Sequence, residues 1–317
     1  QLDGDAVGDP SVVAQLQNRL AISLENLGLA AEAVSLLEKS VATRSRILGP
    51  KHAETLDSAS GLASGYYYLG QYEKAIAEFK QAIAIDPNYV FSLNNLGNVY
   101  GKLQQFRLAS EYFERVLALD ATYAPAHYNL GRAQQALKKN EEALKSYRRA
   151  FEQVPYFEEA IFNFATLATQ LGRLEEGIVQ FKRYIKFYPQ NYQGYFGLGN
   201  AYMRQGKFDD AIAQYEKTAA INPKYLLAYI NLATAQMQAG QVDSAIVTYN
   251  EILKRAPGIA GVHKNLGLIY AQHRPDPAKS IFHFEESLRL EPNQPQAAIL
   301  RQAVEDFKRQ LGAGDIQ

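Results

Sequence analysis

The sequence repeats itself every 34 residues, and this period restricts the fold more than any other feature. One column of the repeat is small, a second is aromatic and a third is rich in leucine. They comprise Ala109, Ala143, Gly177, Ala211 and Ala245; Phe79, Phe113, Tyr147, Phe181, Tyr215 and Tyr249; and Leu96, Leu130, Phe164, Leu198, Leu232 and Leu266. Because separate columns share one period, we predict repeats stacked in sequence order, not the two or three globular domains that 317 residues otherwise suggest.

Each unit contains the pattern of two amphipathic helices, as residues 192–225 illustrate. Apolar residues recur there at three- and four-residue spacing, which indicates one helical stripe formed by Tyr195, Leu198 and Tyr202. Gly206 is expected to end this helix, since glycine adopts the left-handed conformation at little cost. Pro223 is expected to stop the second helix because proline lacks the backbone donor. The sequence therefore predicts an all-α fold of helical hairpins.

Small residues also recur within the first helices, at Gly97, Gly131, Gly199 and Gly267. We expect them to face the small column of the second helix, so that the two helices of a hairpin approach closely.

Over nearly the whole chain, the pattern of each unit resembles the tetratricopeptide repeat. It consists of a Leu-Gly pair, a tyrosine, a glycine turn, an alanine, an aromatic residue and a closing proline. The resemblance implies a right-handed superhelical solenoid of about eight repeats with a C-terminal capping helix. The repeats are predicted at 14–55, 56–89, 90–123, 124–157, 158–191, 192–225, 226–259 and 260–294. Residues 1–13 are predicted to be a flexible lead-in, residues 295–311 the capping helix and residues 312–317 a tail. The longer first repeat resembles the long repeats of kinesin light chain-like proteins.

Composition argues against several classes of partner and chemistry. The 33 Lys and Arg residues balance 33 Asp and Glu residues, so the net charge gives no reason to expect a nucleic acid as the partner. The absence of cysteine excludes disulfides and thiolate chemistry from this segment. No apolar stretch reaches the length of a membrane span, so direct membrane insertion is not expected. The first residue is Gln1 and not Met, so the sequence leaves room for a preceding signal, anchor or membrane helix. A cytoplasmic location is slightly favoured over a membrane-tethered or periplasmic one.

Residues with catalytic or metal-binding chemistry have structural explanations in the repeat pattern. The five histidines do not form a zinc-binding spacing. Carboxylate pairs such as Glu141-Glu142 and Asp209-Asp210 fall at the starts of second helices, where they favour the positive end of the helix dipole. We therefore expect no enzyme activity, no cofactor and no metal.

The resemblance implies that the first helices line the inner groove of the solenoid. One column there is a ladder of asparagines, Asn95, Asn129, Asn163, Asn231 and Asn265, with Gly197 in the remaining position. This ladder is similar to the one in O-linked N-acetylglucosamine transferases. Its amides are expected either to bind a peptide backbone or to bridge adjacent repeats.

A second column on the same helices is largely apolar: Asn94, Tyr128, Phe162, Phe196, Ile230 and Lys264. These side chains are surplus to the hairpin packing, so they indicate either a binding surface or inter-repeat packing. The predicted groove comprises Phe91, Asn94, Asn95, Asn98, Tyr128, Asn129, Phe162, Asn163, Phe196, Asn200, Met203, Ile230, Asn231, Met237, Lys264 and Asn265. A chaperone-tail receptor is disfavoured, because Phe162 and Thr166 stand where the two-carboxylate clamp of such members has cations.

The sequence thus predicts a non-catalytic scaffold or adaptor that binds a peptide or a partner helix in its groove. Two alternatives stay open: a substrate-recognition arm of a larger enzyme such as a glycosyltransferase, and a membrane-tethered envelope assembly protein. The expected partner is a protein or peptide and not a nucleic acid, and a homo-oligomer is compatible with the sequence.

Overall fold

A computed structural model describes residues 9–26 and 28–314, and every regular element in that part of the chain is an α-helix. The all-α prediction is confirmed. The described residues form seventeen helices: α1 Pro10–Asn26, α2 Ala30–Ile47, α3 Ala53–Tyr68, α4 Tyr72–Ile85, α5 Val90–Lys102, α6 Phe106–Leu119, α7 Ala124–Ala136, α8 Asn140–Gln153, α9 Glu158–Gln170, α10 Leu174–Phe187, α11 Tyr192–Gln205, α12 Phe208–Ile221, α13 Leu226–Gln238, α14 Val242–Arg255, α15 Ala260–Gln272, α16 Pro277–Leu290 and α17 Ala297–Gly314.

Odd-numbered helices up to α15 are the first helices of hairpins, and even-numbered helices are the second. The chain divides into two compact units, residues 1–160 and residues 161–317. In the first unit, consecutive helices from α1 to α8 pack on one another, and in the second unit those from α10 to α17 do the same. Each unit is therefore a stack of hairpins in chain order, as expected when a repeat contacts only its neighbours.

The turn inside a hairpin uses one left-handed residue, as predicted at Gly206, whose φ is 76°. The same conformation recurs at 34-residue spacing in Gly70, Gly172 and Gly240. Two positions of this column carry side chains instead: Gln104 has φ 59° and Lys138 has φ 61°. Left-handed backbone disfavours residues with a Cβ, so these two turns are strained relative to the others.

The small residues of the first helices lie against rings of the aromatic column as well as beside the small column. A Cβ on Gly177 would lie 3.0 Å from the carbonyl oxygen of Ala165, which occupies the glycine position of its first helix. A Cβ on Gly199 would lie 2.7 Å from Cε1 of Tyr215, and one on Gly131 would lie 2.7 Å from Cδ1 of Tyr147. Gly97 meets a ring of the aromatic column in the same way. Each of these first-helix glycines lies against a buried ring of the paired helix, because only a residue without a side chain leaves space for it.

Both ends of the chain contain more helix than predicted. Helix α1 begins at Pro10, inside the predicted lead-in 1–13, because proline suits the first helical position and the Asp9 carboxylate accepts the Ser11 N–H at 2.9 Å. Residues 1–8 lie outside the described part. Helix α17 continues to Gly314, so residues 312–314 of the predicted tail are helical. It packs on α16 through a cluster containing Phe284, Leu300 and Val304.

Candidate functional site

The structure places the predicted groove residues on six first helices. In the first unit they lie on α5 and α7, and in the second unit on α9, α11, α13 and α15. Most of them are half-buried, whereas Phe91 is 44% exposed and Asn94 only 6%. We call the solvent-facing surface of the first helices within each unit the first-helix face.

Asn94 does not belong to the first-helix face. Its side chain is buried, and it donates from Nδ2 to Oδ1 of Asn95 at 3.5 Å. Asparagine is shorter than the aromatic residues that occupy this column in the following repeats, so it remains beneath the surface. The prediction that Asn94 lines the groove is therefore corrected.

The aromatic members of the second column pack partly on the core. The Phe162 ring lies 5.9 Å from the Phe181 ring and 5.4 Å from the Tyr184 ring, measured between centroids. Phe196 lies 5.8 Å from Tyr215 and 5.1 Å from Tyr225. Because both rings are half-buried, one side is fixed by the core while the other remains accessible to a ligand.

Two rungs of the asparagine ladder bridge successive hairpins. Nδ2 of Asn231 donates to Oδ1 of Asn200 at 3.0 Å, and the Tyr215 hydroxyl donates to the same oxygen at 2.8 Å. Nδ2 of Asn265 donates to the Tyr249 hydroxyl at 3.1 Å. Burial raises the pKa of both tyrosines, so each hydroxyl stays protonated. At these rungs the amide donors are used within the protein, as the bridging alternative expects.

A cavity of about 400 Å³ opens on the first-helix face of the first unit. Its lining combines aromatic, amide and basic side chains: Tyr67, Asn98, Gly101, Lys102, Phe106, Ala109, Phe113, Asn129, Arg132, Ala133 and Ala136. Lys102 and Arg132 form no ion pair within the described residues, and the lining contains no carboxylate. This cavity therefore has a positive character, and it joins the predicted Asn98 and Asn129.

A second cavity of about 400 Å³ lies on the first-helix face of the second unit. It is lined by Phe162, Thr166, Thr169, Gln170, Phe181, Gln193, Phe196, Gly197, Asn200, Arg204 and Tyr225. The structure thus brings together Phe162, Phe196 and Asn200 of the predicted groove. A smaller cavity of about 300 Å³ shares Asn200 and Arg204 with it and also touches Met203 and Asn231.

Several lining residues were not predicted as groove residues from the sequence. In the first unit these include Tyr67, Lys102 and Arg132, and in the second Arg204 and Tyr225. Arg132 follows Asn98 by 34 residues, and Arg204 follows Asn200 by four, so the period and the helical spacing were available as signals. Tyr225 is on the linker before α13, where helical spacing gives no information about direction.

No metal or membrane site emerges from the part of the chain that the structure describes. Its residues contain no group of three or more His, Cys, Asp or Glu side chains that could hold a metal ion. No helix there combines the length and the apolar character needed to cross a bilayer. The buried His127 instead contacts the Ala121 carbonyl through Nε2 at 2.9 Å, and burial lowers its pKa.

Comparison with known proteins places these features in a family. Sequence profiles described as the tetratricopeptide repeat match residues 12–88, 90–123, 124–153, 162–225 and 202–264. The search of curated proteins gave no match.

Solved structures with the same fold include the C-terminal part of a TPR repeat-containing protein from Cytophaga hutchinsonii, at 18% identity and a TM-score of 0.67, covering 75% of this chain and 97% of that one. The type IV pilus biogenesis factor PilW is similar at 22% identity and a TM-score of 0.58, covering 70% and 97%. YrrB, a TPR protein with an unusual peptide-binding site, is similar at 23% identity and a TM-score of 0.51, covering 59% and 94%. The repeat profiles extend over most of the helical hairpins, and the chain belongs to the tetratricopeptide repeat family.

Proposed function

We propose that this protein is a non-catalytic interaction scaffold that holds a peptide segment or a partner helix on its first-helix face. One observation carries the proposal: in each unit that face contains a cavity of about 400 Å³ with aromatic walls and an amide-rich rim. Cavities of this kind accept apolar anchor side chains while amides hydrogen-bond the ligand backbone.

The exposed surface of half-buried rings supports this use. Phe162 and Phe196 are already held by contacts to Tyr184 and Tyr225, so a ligand would meet rigid rings and would lose little side-chain entropy in binding them. The peptide-binding site named for YrrB is a precedent within the same fold. The balanced total charge favours a protein over a nucleic acid as the partner.

Affinity capture followed by mass spectrometry tests the proposal, with wild type compared against a variant carrying both Phe162→Ala and Phe196→Ala. Partners of the first-helix face should be lost from the variant, since truncating two anchoring rings costs on the order of 2–4 kcal/mol of binding. Binding of a recovered partner is then measured with the purified proteins.

The matched control is Phe187→Ala, because Phe187 is an exposed ring on α10, a second helix. It should leave binding unchanged, and circular dichroism should show that all variants keep their helices. A purified partner that binds the double variant as tightly as wild type would exclude the first-helix face of the second unit as its site.

A further inference from the structure

The asparagine ladder has a gap at Gly197, and the structure shows what the gap creates. A Cβ on Gly197 would overlap the ring of Phe181, which is 2% exposed. In the next two repeats the corresponding pairs are hydrogen-bonded, Asn231 through Asn200 to Tyr215 and Asn265 to Tyr249. At this position Phe181 has no hydroxyl and Gly197 has no amide side chain, so an apolar cavity floor replaces the polar bridge.

We propose that this cavity in the second unit is the anchor site of the first-helix face, and that it takes one bulky aromatic side chain of a peptide with a carboxylate next to it. This inference rests on the proposed function and specifies its ligand. The cavity floor is the Phe181 ring, and the walls are the rings of Phe162, Phe196 and Tyr225. Offset and edge-on contacts between rings favour an aromatic occupant over an aliphatic one of similar size.

The carboxylate is inferred from the charge of the lining. Arg204 is the one charged residue among the side chains that line this cavity, and it forms no ion pair within the described part of the protein. Its Nη1 donates to the Thr169 carbonyl, which holds the guanidinium at the rim. A guanidinium has five N–H donors, so donors remain for a ligand carboxylate.

The polar rim of the cavity would hydrogen-bond the peptide backbone on either side of the anchor side chain. Thr166, Gln170 and Gln193 surround the opening and offer both donors and acceptors. The smaller cavity, which shares Asn200 and Arg204, gives the chain room to continue past the anchor. The first-unit cavity is less suited to this ligand, because an asparagine, Asn129, occupies the ladder position there.

The test uses the whole protein and fluorescein-labelled hexapeptides in anisotropy titrations. The peptides share a Gly and Ser background and differ at two adjacent positions: Trp, Phe, Leu or Ala at the first, and Asp, Asn or Lys at the second. The Trp-Asp peptide should bind about tenfold more tightly than its Ala-Asp counterpart, which is the usual scale for one truncated anchor. It should also bind more tightly than the Trp-Lys peptide.

Two variants separate the aromatic and the acidic parts of the proposal. Arg204→Glu should reverse the preference from Asp to Lys while keeping the preference for Trp over Ala. Thr166→Trp, which adds a bulky side chain to the lining of the cavity, should abolish binding of all aromatic peptides. Gly197→Asn should do the same, and Thr166→Trp keeps the test decisive if Gly197→Asn fails to fold. The control Lys217→Glu, an exposed cation on the second helix α12 of the same unit, should change nothing.

Failure of this inference differs from failure of the proposed function. Equal binding of the Trp and Ala peptides, or full binding by Thr166→Trp, overturns the anchor site. The scaffold proposal still stands in that case if captured partners depend on Phe162 and Phe196. Absence of binding by every peptide also overturns the inference. Dimerisation of wild type that Thr166→Trp abolishes, seen by analytical ultracentrifugation, would identify a second copy of the chain as the occupant instead of a peptide.

Discussion

At the residue scale, one left-handed residue forms the turn inside most of the hairpins. Gly70, Gly172, Gly206 and Gly240 adopt this conformation with φ between 72° and 80°. Lys138 occupies the same column with φ 61°, and its side chain is exposed. A left-handed residue with a Cβ costs about 1–2 kcal/mol relative to glycine in that conformation.

Lys138→Gly should therefore stabilise the first unit. The relief of backbone strain exceeds the extra chain entropy that glycine has in the unfolded state, so we expect about 0.5–1 kcal/mol more free energy of unfolding. Urea denaturation followed by circular dichroism measures it. The opposite substitution in an equivalent turn, Gly206→Lys, should lower the free energy of unfolding. A lower denaturation midpoint for Lys138→Gly would contradict this account of the turn.

At the element scale, a buried histidine pair joins α15 to α16. Nδ1 of His263 lies 3.1 Å from Nδ1 of His283, and Nε2 of His263 lies 3.2 Å from the Pro257 carbonyl. Because a carbonyl only accepts, Nε2 of His263 must donate, and its Nδ1 then accepts from His283. His283 also stacks on Tyr270 at 5.8 Å. The bond requires Nδ1 of His263 to be unprotonated.

Acid should weaken this hairpin. Burial, reinforced by the neighbouring His263, lowers the pKa of His283 to about 4 from 6.5. Between those two values the unfolded state binds more protons than the folded state, so stability falls as the pH falls from 6.5 towards 4. The contribution lost between pH 7 and pH 5 is about 2 kcal/mol. Of the charged neighbours, Glu286 opposes the shift and Lys279 reinforces it.

Urea denaturation at pH 7 and at pH 5 measures this loss, with His283→Phe as the comparison. The phenylalanine ring keeps the stacking position over Tyr270 but cannot take up a proton. The variant should lose less stability than wild type between the two pH values, whatever its stability at pH 7. Equal losses in both proteins would exclude His283 as the source of acid sensitivity.

At the scale of the whole molecule, stability is shared between hairpins that contact only their neighbours. A hairpin at an end of such a stack has one apolar face without a following repeat. Helix α17 covers that face of the last hairpin by burying Ala297, Leu300 and Val304.

Ending the chain after Gln296 should loosen the last hairpin first. The truncation removes the buried apolar side chains of α17, which costs on the order of 3–6 kcal/mol of stability. The loss should destabilise α16 most, because α17 packs on α16. Hydrogen exchange of α16 amides should accelerate, while exchange in the first unit should stay the same. A chain ended after Leu311 keeps the buried residues and serves as the control. Unchanged α16 protection after the longer truncation would contradict the capping role.

The candidate site could be predicted only in part. Phe162 and Phe196 are predicted from one column and line the second-unit cavity together with the predicted Asn200, because helical spacing places them on the same side of first helices. Asn94 was selected on the same grounds, yet it is buried. A repeated position in the sequence predicts which side of the helix a residue lies on. Its solvent exposure depends as well on the length of its side chain and on the residues packed around it.

The sequence alone determined the period, the hairpins and the turn residues, because these depend on spacing along the chain and on the local backbone preferences of glycine and proline. Only the tertiary structure decided that a buried ring of the paired helix also lies against the first-helix glycines. The tertiary structure also decided that a cavity lies at Gly197, where the asparagine ladder is interrupted, and that Arg204 and Tyr225 line that cavity. The physical reason is that these relations depend on how one helix is rotated against the next, which is set by the packing of side chains far apart in sequence.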